Sequence, residues 1–294
     1  MSGADAEGIG PDRNGENGWE DRRLDLSSKT AVVTGAGRGI GRATCIALAR
    51  EDTRAIAAVD LTDEVRVFAK QANERLAREV IFPFQGEVTD SHFRKGVFAE
   101  MEQRFGAVHI CVPAAGITRD YLAVKIDRDT HARHIYAEED FRRVIEIDLT
   151  APIYWALETI ASVAADRSRR GMKKWTPDER VQGVVIFIGS VSSAGNKGQI
   201  SYATAKAGLE GAQATLAAEA IFHGVRSAII HPGYTDTAMV RALGSEFIST
   251  NILPQTQLGR LILPEEIAHA ILFMVRNSSV SGTLWADAGW TPRI

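Results

Sequence analysis

Short, nearly uninterrupted apolar runs alternate along this chain with longer segments whose apolar residues recur every three or four positions. The runs at 30–34, 55–59, 80–84, 108–112, 183–189, 225–230 and 283–286 are rich in Val, Ile and Ala and predict buried strands. The periodic segments at 40–50, 63–78, 91–104, 138–164, 202–222 and 264–275 predict helices. Strands of this kind are apolar because both their faces are covered, which a parallel sheet with crossover helices achieves. The expected fold class is therefore α/β, a doubly wound parallel sheet of about seven strands with helices on both faces. Ligands are then expected at the carboxyl ends of the strands.

The pattern begins only near residue 23. Residues 1–22 are rich in Gly, Asp, Glu and Asn, with Trp19 the only aromatic side chain, and read as a disordered tail. Residues 23–294 read as one domain, since no linker interrupts them. Two connections are over-long. Residues 123–139 follow a strand and should lie on the ligand-bearing face. Residues 166–182 precede one and should lie opposite, where Arg167, Arg169, Arg170, Lys173 and Lys174 read as a solvated basic loop. Of 294 residues, 45% are hydrophobic and 24% charged, and the net charge of −3 gives no reason to expect nucleic-acid binding. Cys45 and Cys111 fall inside a helix and a strand, as reduced thiols of a cytoplasmic protein would. No apolar run approaches the ~18 residues of a membrane span, and the N-terminus does not read as a signal peptide. His131 and His134 lack a ligand set of convincing spacing, so no metal is expected, and His109 reads as packed in its strand.

The first candidate chemistry is Thr34-Gly35-Ala36-Gly37-Arg38-Gly39-Ile40-Gly41, directly after the first strand. A tight turn into a helix aims backbone N–H groups and the positive end of the helix dipole at one spot, a ready site for a pyrophosphate. Gly35 permits the turn, Gly39 lets the backbone approach phosphates, and Gly41 allows close helix packing. A glycine-rich loop of no function remains the plain alternative, but Asp60 closes the second strand nineteen residues after Gly41. That pair points to a dinucleotide.

The second is Ser190 to Lys206. Tyr202 and Lys206 are four apart and share a helix face. A tyrosine, with an unperturbed pKa of ~10, is a poor base at neutral pH. A neighbouring ammonium favours the phenolate, so Lys206 is expected to lower Tyr202 and make proton exchange feasible. Ser190, at the end of the neighbouring strand, can hold a substrate oxygen by hydrogen bond.

Taken in this order, the motifs resemble the short-chain dehydrogenase/reductase family, and within it 3-oxoacyl-[acyl-carrier-protein] reductases. The resemblance runs from about Leu26 to Gly289 and includes Ala115-Gly116-Ile117-Thr118-Arg119-Asp120, Pro232-Gly233-Tyr234-Thr235-Asp236-Thr237, Leu258-Gly259-Arg260 and Pro264-Glu265-Glu266-Ile267-Ala268. It implies a Rossmann-like fold and catalysis by Ser190, Tyr202 and Lys206, with Asp148 in the position of the family's catalytic asparagine. It further implies that Ile40, Val88, Ala115, Gly116, Gly233, Thr235 and Thr237 line the dinucleotide, that 238–257 is an apolar substrate lid, and that the chain forms a homotetramer or homodimer through the helices at 138–164 and 202–222. The expected substrate is a small alcohol or ketone, or an acyl thioester.

Four departures stand out. The family's Asn-Asn-Ala-Gly is Pro113-Ala114-Ala115-Gly116, its adenine-facing Asp-Val is Glu87-Val88, and the Ser190–Tyr202 spacing is one residue short. Asp148 replaces an asparagine that supports a proton relay ending at the lysine; its charge is expected to hold Lys206 protonated and alter the pH profile. For the cofactor, Asp60 favours NAD(H) over NADP(H) by repelling a 2′-phosphate, while Arg38 would attract one. The sequence therefore reads as an NAD(H)-dependent oxidoreductase. Its alternatives are an NADPH-dependent 3-oxoacyl-thioester reductase and, from another class, a weakly catalytic dinucleotide-binding sensor or scaffold.

Overall fold

The computed structural model describes residues 23–290. The tail expected at 1–22 and the last four residues lie outside the described residues. Seven strands form one parallel sheet: β1 (Thr30–Thr34), β2 (Ala55–Asp60), β3 (Ile81–Gln85), β4 (Val108–Pro113), then, beyond the pair β5 (Val124–Ile126) and β6 (Arg133–Ile135), β7 (Gly183–Ile188), β8 (Val225–Pro232) and β9 (Gly282–Ala286). Their order is β3-β2-β1-β4-β7-β8-β9, so the chain winds outward in both directions from β1 and β4. Loops diverge at that switch point and leave a crevice for a ligand.

Alternate residues of each strand feed two cores. On one face Val33, Ile56, Ile110, Ile186 and Ile230 pack against α1 (Gly39–Arg50), α2 (Glu64–Leu76) and α9 (Pro264–Arg276). On the other, Val32, Val59, Cys111 and Phe187 meet α3 (Ser91–Phe105), α5 (Ala151–Arg169) and α6 (Ile200–Glu219) through Met101, Trp155 and Leu209. Cys45 and Cys111 are free and buried, and burial pushes the Cys111 thiol up to about 12.

Three regions differ from the sequence reading. The helix expected over 138–164 is α4 (Glu138–Ile145), one π turn (Glu146–Thr150) and α5. The π turn adds a residue without disturbing the apolar stripe, so periodicity does not register it. Residues 123–139 hold the β5–β6 hairpin, exposed on both faces and tied to the ligand-bearing side by the Tyr136 hydroxyl at 2.6 Å from Arg119 O and 2.8 Å from Ser201 Oγ. In 166–182, Arg167 is not a solvated charge. It is 1% exposed and forms a two-point pair with Glu179 at 2.5 and 3.2 Å, because the loop after α5 folds back over the end of that helix. His109 is packed as expected: its Nδ1 accepts the Thr30 N–H at 3.3 Å, and burial, aided by Lys29, Arg170 and Arg54, drops the imidazole to about 3.

A second buried cation closes the far edge of the sheet. Arg226 on β8 donates to the carbonyls of Met274 and Val275, at 3.1 and 2.7 Å, and of Val280 at 2.5 Å. Those of Met274 and Val275 are acceptors that the last turn of α9 leaves open. Arg226→Met is expected to cost about 3 kcal/mol, since charge-assisted bonds to buried carbonyls are lost together. Thermal unfolding should show roughly 6–10 °C lower Tm; an unchanged Tm would mean the cap is dispensable.

Candidate active site

The glycine turn joins β1 to α1 at the carboxyl edge of the sheet. Gly35 has φ +64°, and a Cβ there would lie 2.8 Å from the backbone of Ala115, so only glycine fits. A Cβ on Gly41 would stand 2.3 Å from Gly35 O and 3.0 Å from Thr34 O, so α1 packs closely on the turn and on the end of β1. Gly39 (φ +55°) faces Thr237, whose Cγ2 would be 3.2 Å from an added Cβ, which brings the Pro-Gly segment over the start of α1. The turn is braced by Asp60, whose Oδ2 accepts the Gly37 N–H at 2.9 Å while Oδ1 accepts from the N–H and hydroxyl of Thr62, each at 3.0 Å. Asp60 is therefore held at the turn, whereas Arg38 beside it is exposed.

The altered Pro113–Gly116 segment is secured without the family's asparagines. Ala115 N–H donates to Thr34 Oγ1 at 3.1 Å, and Ile117 N–H to Asp148 Oδ1 at 2.9 Å. A Cβ on Gly116 would meet Asp148 Oδ2 at 2.8 Å. Asp148 sits in the π turn and is fully buried, with Oδ2 3.4 Å from Lys206 Nζ. Lys206 also donates to Ile188 O at 3.1 Å and lies 5.3 Å from the centroid of the Tyr202 ring. Ser190 follows β7 and caps the next turn, its Oγ accepting Ser192 N–H at 3.0 Å.

Three titratable groups set the site's electrostatics. Burial alone would pull the Lys206 ammonium down, but the carboxylate of Asp148 and the phenol of Tyr202 outweigh it and hold it above its ordinary value. Burial raises Asp148, with Lys206 and the Ile117 N–H opposing. Tyr202 corrects the sequence reading: its phenol is raised, not lowered. Burial is the largest cause; Lys206 and the Ser190 hydroxyl pull down, and Asp148 adds to the rise.

A pocket of about 130 Å³ joins Ser190 and Tyr202 to Ile40, Thr118, Ile188 and the Pro232–Thr235 segment. One wall is apolar, from Met239, Val240 and Leu243. The expected lid begins there, as α7 (Ala238–Arg241) followed by α8 (Ser245–Phe247), a wide π turn (Ile248–Ile252) and a tight 3₁₀ turn (Leu253–Gln255). The other wall is polar: Gln199 donates to Asp120 Oδ2 at 2.9 Å and accepts from Ser192 Oγ at 2.8 Å and Asn196 at 3.0 Å. Sequence reading missed this wall, although Asp120 closes one recognised motif and Gln199 stands three residues before Tyr202. Glu87 turns to an ion pair with Arg143 at 2.8 Å, and buried Val88 accepts the Trp155 indole N–H at 3.0 Å. Gly233, backed by Asp287, and Thr235, buried beneath the pocket, complete the rim.

Among the described residues, no group of three or more His, Cys, Asp or Glu side chains is placed to hold a metal ion. No described helix is long and apolar enough to cross a membrane. The short chain dehydrogenase family model matches residues 29–247. The chain is 31% identical to the 3-oxoacyl-[acyl-carrier-protein] reductase of Escherichia coli over 257 residues, covering 87% of this chain and 93% of that protein. It is 32% identical to the (3R)-3-hydroxyacyl-CoA dehydrogenase of Rattus norvegicus over 265 residues, with the same coverage of each. A solved short-chain type dehydrogenase/reductase from Mycobacterium marinum shares the fold at TM-score 0.75 and 24% identity, over 91% of this chain and 97% of that one. The chain belongs to the short-chain dehydrogenase/reductase family, oxidoreductases that use a nicotinamide dinucleotide to act on hydroxyl or keto groups.

Proposed function

We propose that this enzyme interconverts a secondary alcohol and a ketone on an apolar or acyl-type substrate, with NAD(H) as the cofactor and Tyr202 as the acid/base. The observation that carries this reading is the pocket itself, which Ser190 and Tyr202 line together with the apolar side chains of Met239, Val240 and Leu243. The names of the two relatives, a 3-oxoacyl reductase and a 3-hydroxyacyl dehydrogenase, support an acyl thioester as substrate.

The cradle fits a dinucleotide. Gly35, Gly39 and Gly41 bring bare backbone and the N-terminus of α1 to one point, where Arg38 and Ile40 also lie, while Asp60 stands where an adenosine ribose would meet the sheet. Glu87, Val88, Ala115 and Gly116 would flank the adenine side, and Pro232, Gly233, Thr235 and Thr237, with Tyr202 and Lys206, the nicotinamide side. A bound nicotinamide supplies the hydride chemistry. Ser190 orients the substrate oxygen, Tyr202 exchanges the proton with it, and Lys206 steadies the phenolate. Asp148 keeps Lys206 charged. Residues 238–257 cover the substrate, and the chain works in the cytoplasm as a homotetramer or homodimer, with Tyr154 and Leu157 exposed on α5 for the partner.

Asp148 carries a prediction about pH. Its carboxylate raises both Lys206 and Tyr202, so Asp148→Asn, of nearly the same shape, lowers both. Alcohol oxidation needs the deprotonated phenol. The rising limb of its pH–rate profile should therefore move to lower pH in Asp148→Asn, and an unmoved limb would remove Asp148 from the proton step.

A second reading, the NADPH-dependent 3-oxoacyl-thioester reductase, is favoured by the exposed Arg38. Titration of the purified protein with NADH and NADPH, followed by cofactor fluorescence, separates the two. Tighter NADH binding supports the Asp60 argument; tighter NADPH binding moves the reading to the reductase.

A further inference from the structure

The last-but-one residue of β8 is a histidine that the proposed chemistry does not use. His231 is fully buried, and its ring stacks on the indole of Trp285 in β9 with centroids 4.3 Å apart and an interplanar angle of 16°. Its Nδ1 lies 3.1 Å from the main-chain N–H of Ser190, 3.0 Å from the Ser190 carbonyl and 3.3 Å from the Ser193 hydroxyl. The residue before Ser190, Gly189, has no room for a side chain, because a Cβ there would stand 2.5 Å from that same Nδ1. Ring and turn are built around each other. The far nitrogen, Nε2, is buried without a hydrogen bond and faces Glu210 Oε1 at 3.6 Å. Burial holds the imidazole below its ordinary value, with the Ser190 main-chain contact and Glu210 opposing and Lys206 assisting, which favours the neutral ring. A neutral ring offers Nδ1 as an acceptor to the Ser190 N–H in one tautomer, or as a donor to its carbonyl in the other. Either ties the ring to Ser190.

We propose that His231 is a positioning residue, clamping the main chain of Ser190 so that the serine hydroxyl meets the substrate oxygen beside Tyr202. The inference rests on the alcohol–ketone reading above. It is distinct from a packing role because the polar contact and the stack can be removed one at a time. His231→Phe keeps a ring on Trp285 and loses the contact. His231→Asn loses the stack but places an amide, donor or acceptor, where Nδ1 was.

The test measures kcat, NADH dissociation and Tm for both variants, and repeats kcat in a Ser190→Ala background. His231→Phe should lower kcat about 10-fold, a small misalignment of one catalytic group, with NADH binding unchanged. His231→Asn should stay within about 3-fold of the parent although it melts below His231→Phe. In Ser190→Ala, His231→Phe should cost nothing further, as two residues acting through one contact are not additive. Activity that follows Tm, with Asn the slower variant, overturns the inference, and so does an undiminished effect of His231→Phe once Ser190 is gone. A parent protein without turnover on any alcohol or ketone would instead defeat the reading beneath it.

Discussion

Tyr202→Phe is expected to lower turnover by roughly 10²–10⁴-fold in both directions, the range a positioned acid/base contributes. The phenyl ring fills the same half-buried site and stays beside Lys206, so the pocket keeps its shape. What disappears is the hydroxyl that interacts with both Ser190 and Lys206, and with it the proton acceptor for an alcohol. NADH affinity should change little, which separates lost chemistry from lost folding. Steady-state rates with one alcohol–ketone pair, beside a fluorescence titration of the cofactor, make the comparison. Undiminished turnover would assign the proton step elsewhere. A parent chain that binds NADH and turns over no alcohol or ketone would point to the sensor or scaffold.

Asp60→Ala is expected to shift the NADH/NADPH affinity ratio toward NADPH by about 10–100-fold. A carboxylate a few ångströms from a 2′-phosphate repels it by up to about 4 kcal/mol at the effective dielectric of a protein surface, and salt screens part of that. The same substitution frees the Gly37 N–H and the Thr62 N–H and hydroxyl, so NADH binding should weaken as NADPH binding strengthens. Dissociation constants for both cofactors at one fixed salt concentration provide the readout. A ratio that does not move would mean that Arg38, exposed in the same turn, sets the preference.

Much of this was legible in the residues alone, because the sheet and the turn obey local rules. Apolar runs marked all seven strands of the parallel sheet to within two residues at either end. The glycine turn with Asp60, and the four-residue step from Tyr202 to Lys206, depend on spacing within one element or across one crossover, and spacing is what a sequence displays. The rest depends on contacts between distant segments. Arg167 looked solvated because nothing local announces that Glu179 folds back onto it. Lys206 was expected to lower Tyr202, but spacing cannot weigh one ammonium against burial and a carboxylate brought in by the π turn. The polar wall of Asp120 and Gln199 joins residues 79 positions apart. His231 meets Ser190 across 41, and its trace in the sequence is a histidine directly after the apolar run Ala228-Ile229-Ile230, with a glycine directly before the serine.

The central claim is that the Ser190–Tyr202–Lys206 site oxidises and reduces a carbon–oxygen bond with NAD(H). Initial rates of 3-hydroxybutyryl thioester oxidation by the purified chain, with NAD+ and with NADP+ at equal concentrations, test it most directly through the absorbance of the reduced nicotinamide. The account predicts turnover with NAD+ at least about 10-fold faster than with NADP+, the lower end of the Asp60 effect. Turnover with neither cofactor, or faster turnover with NADP+, would contradict it.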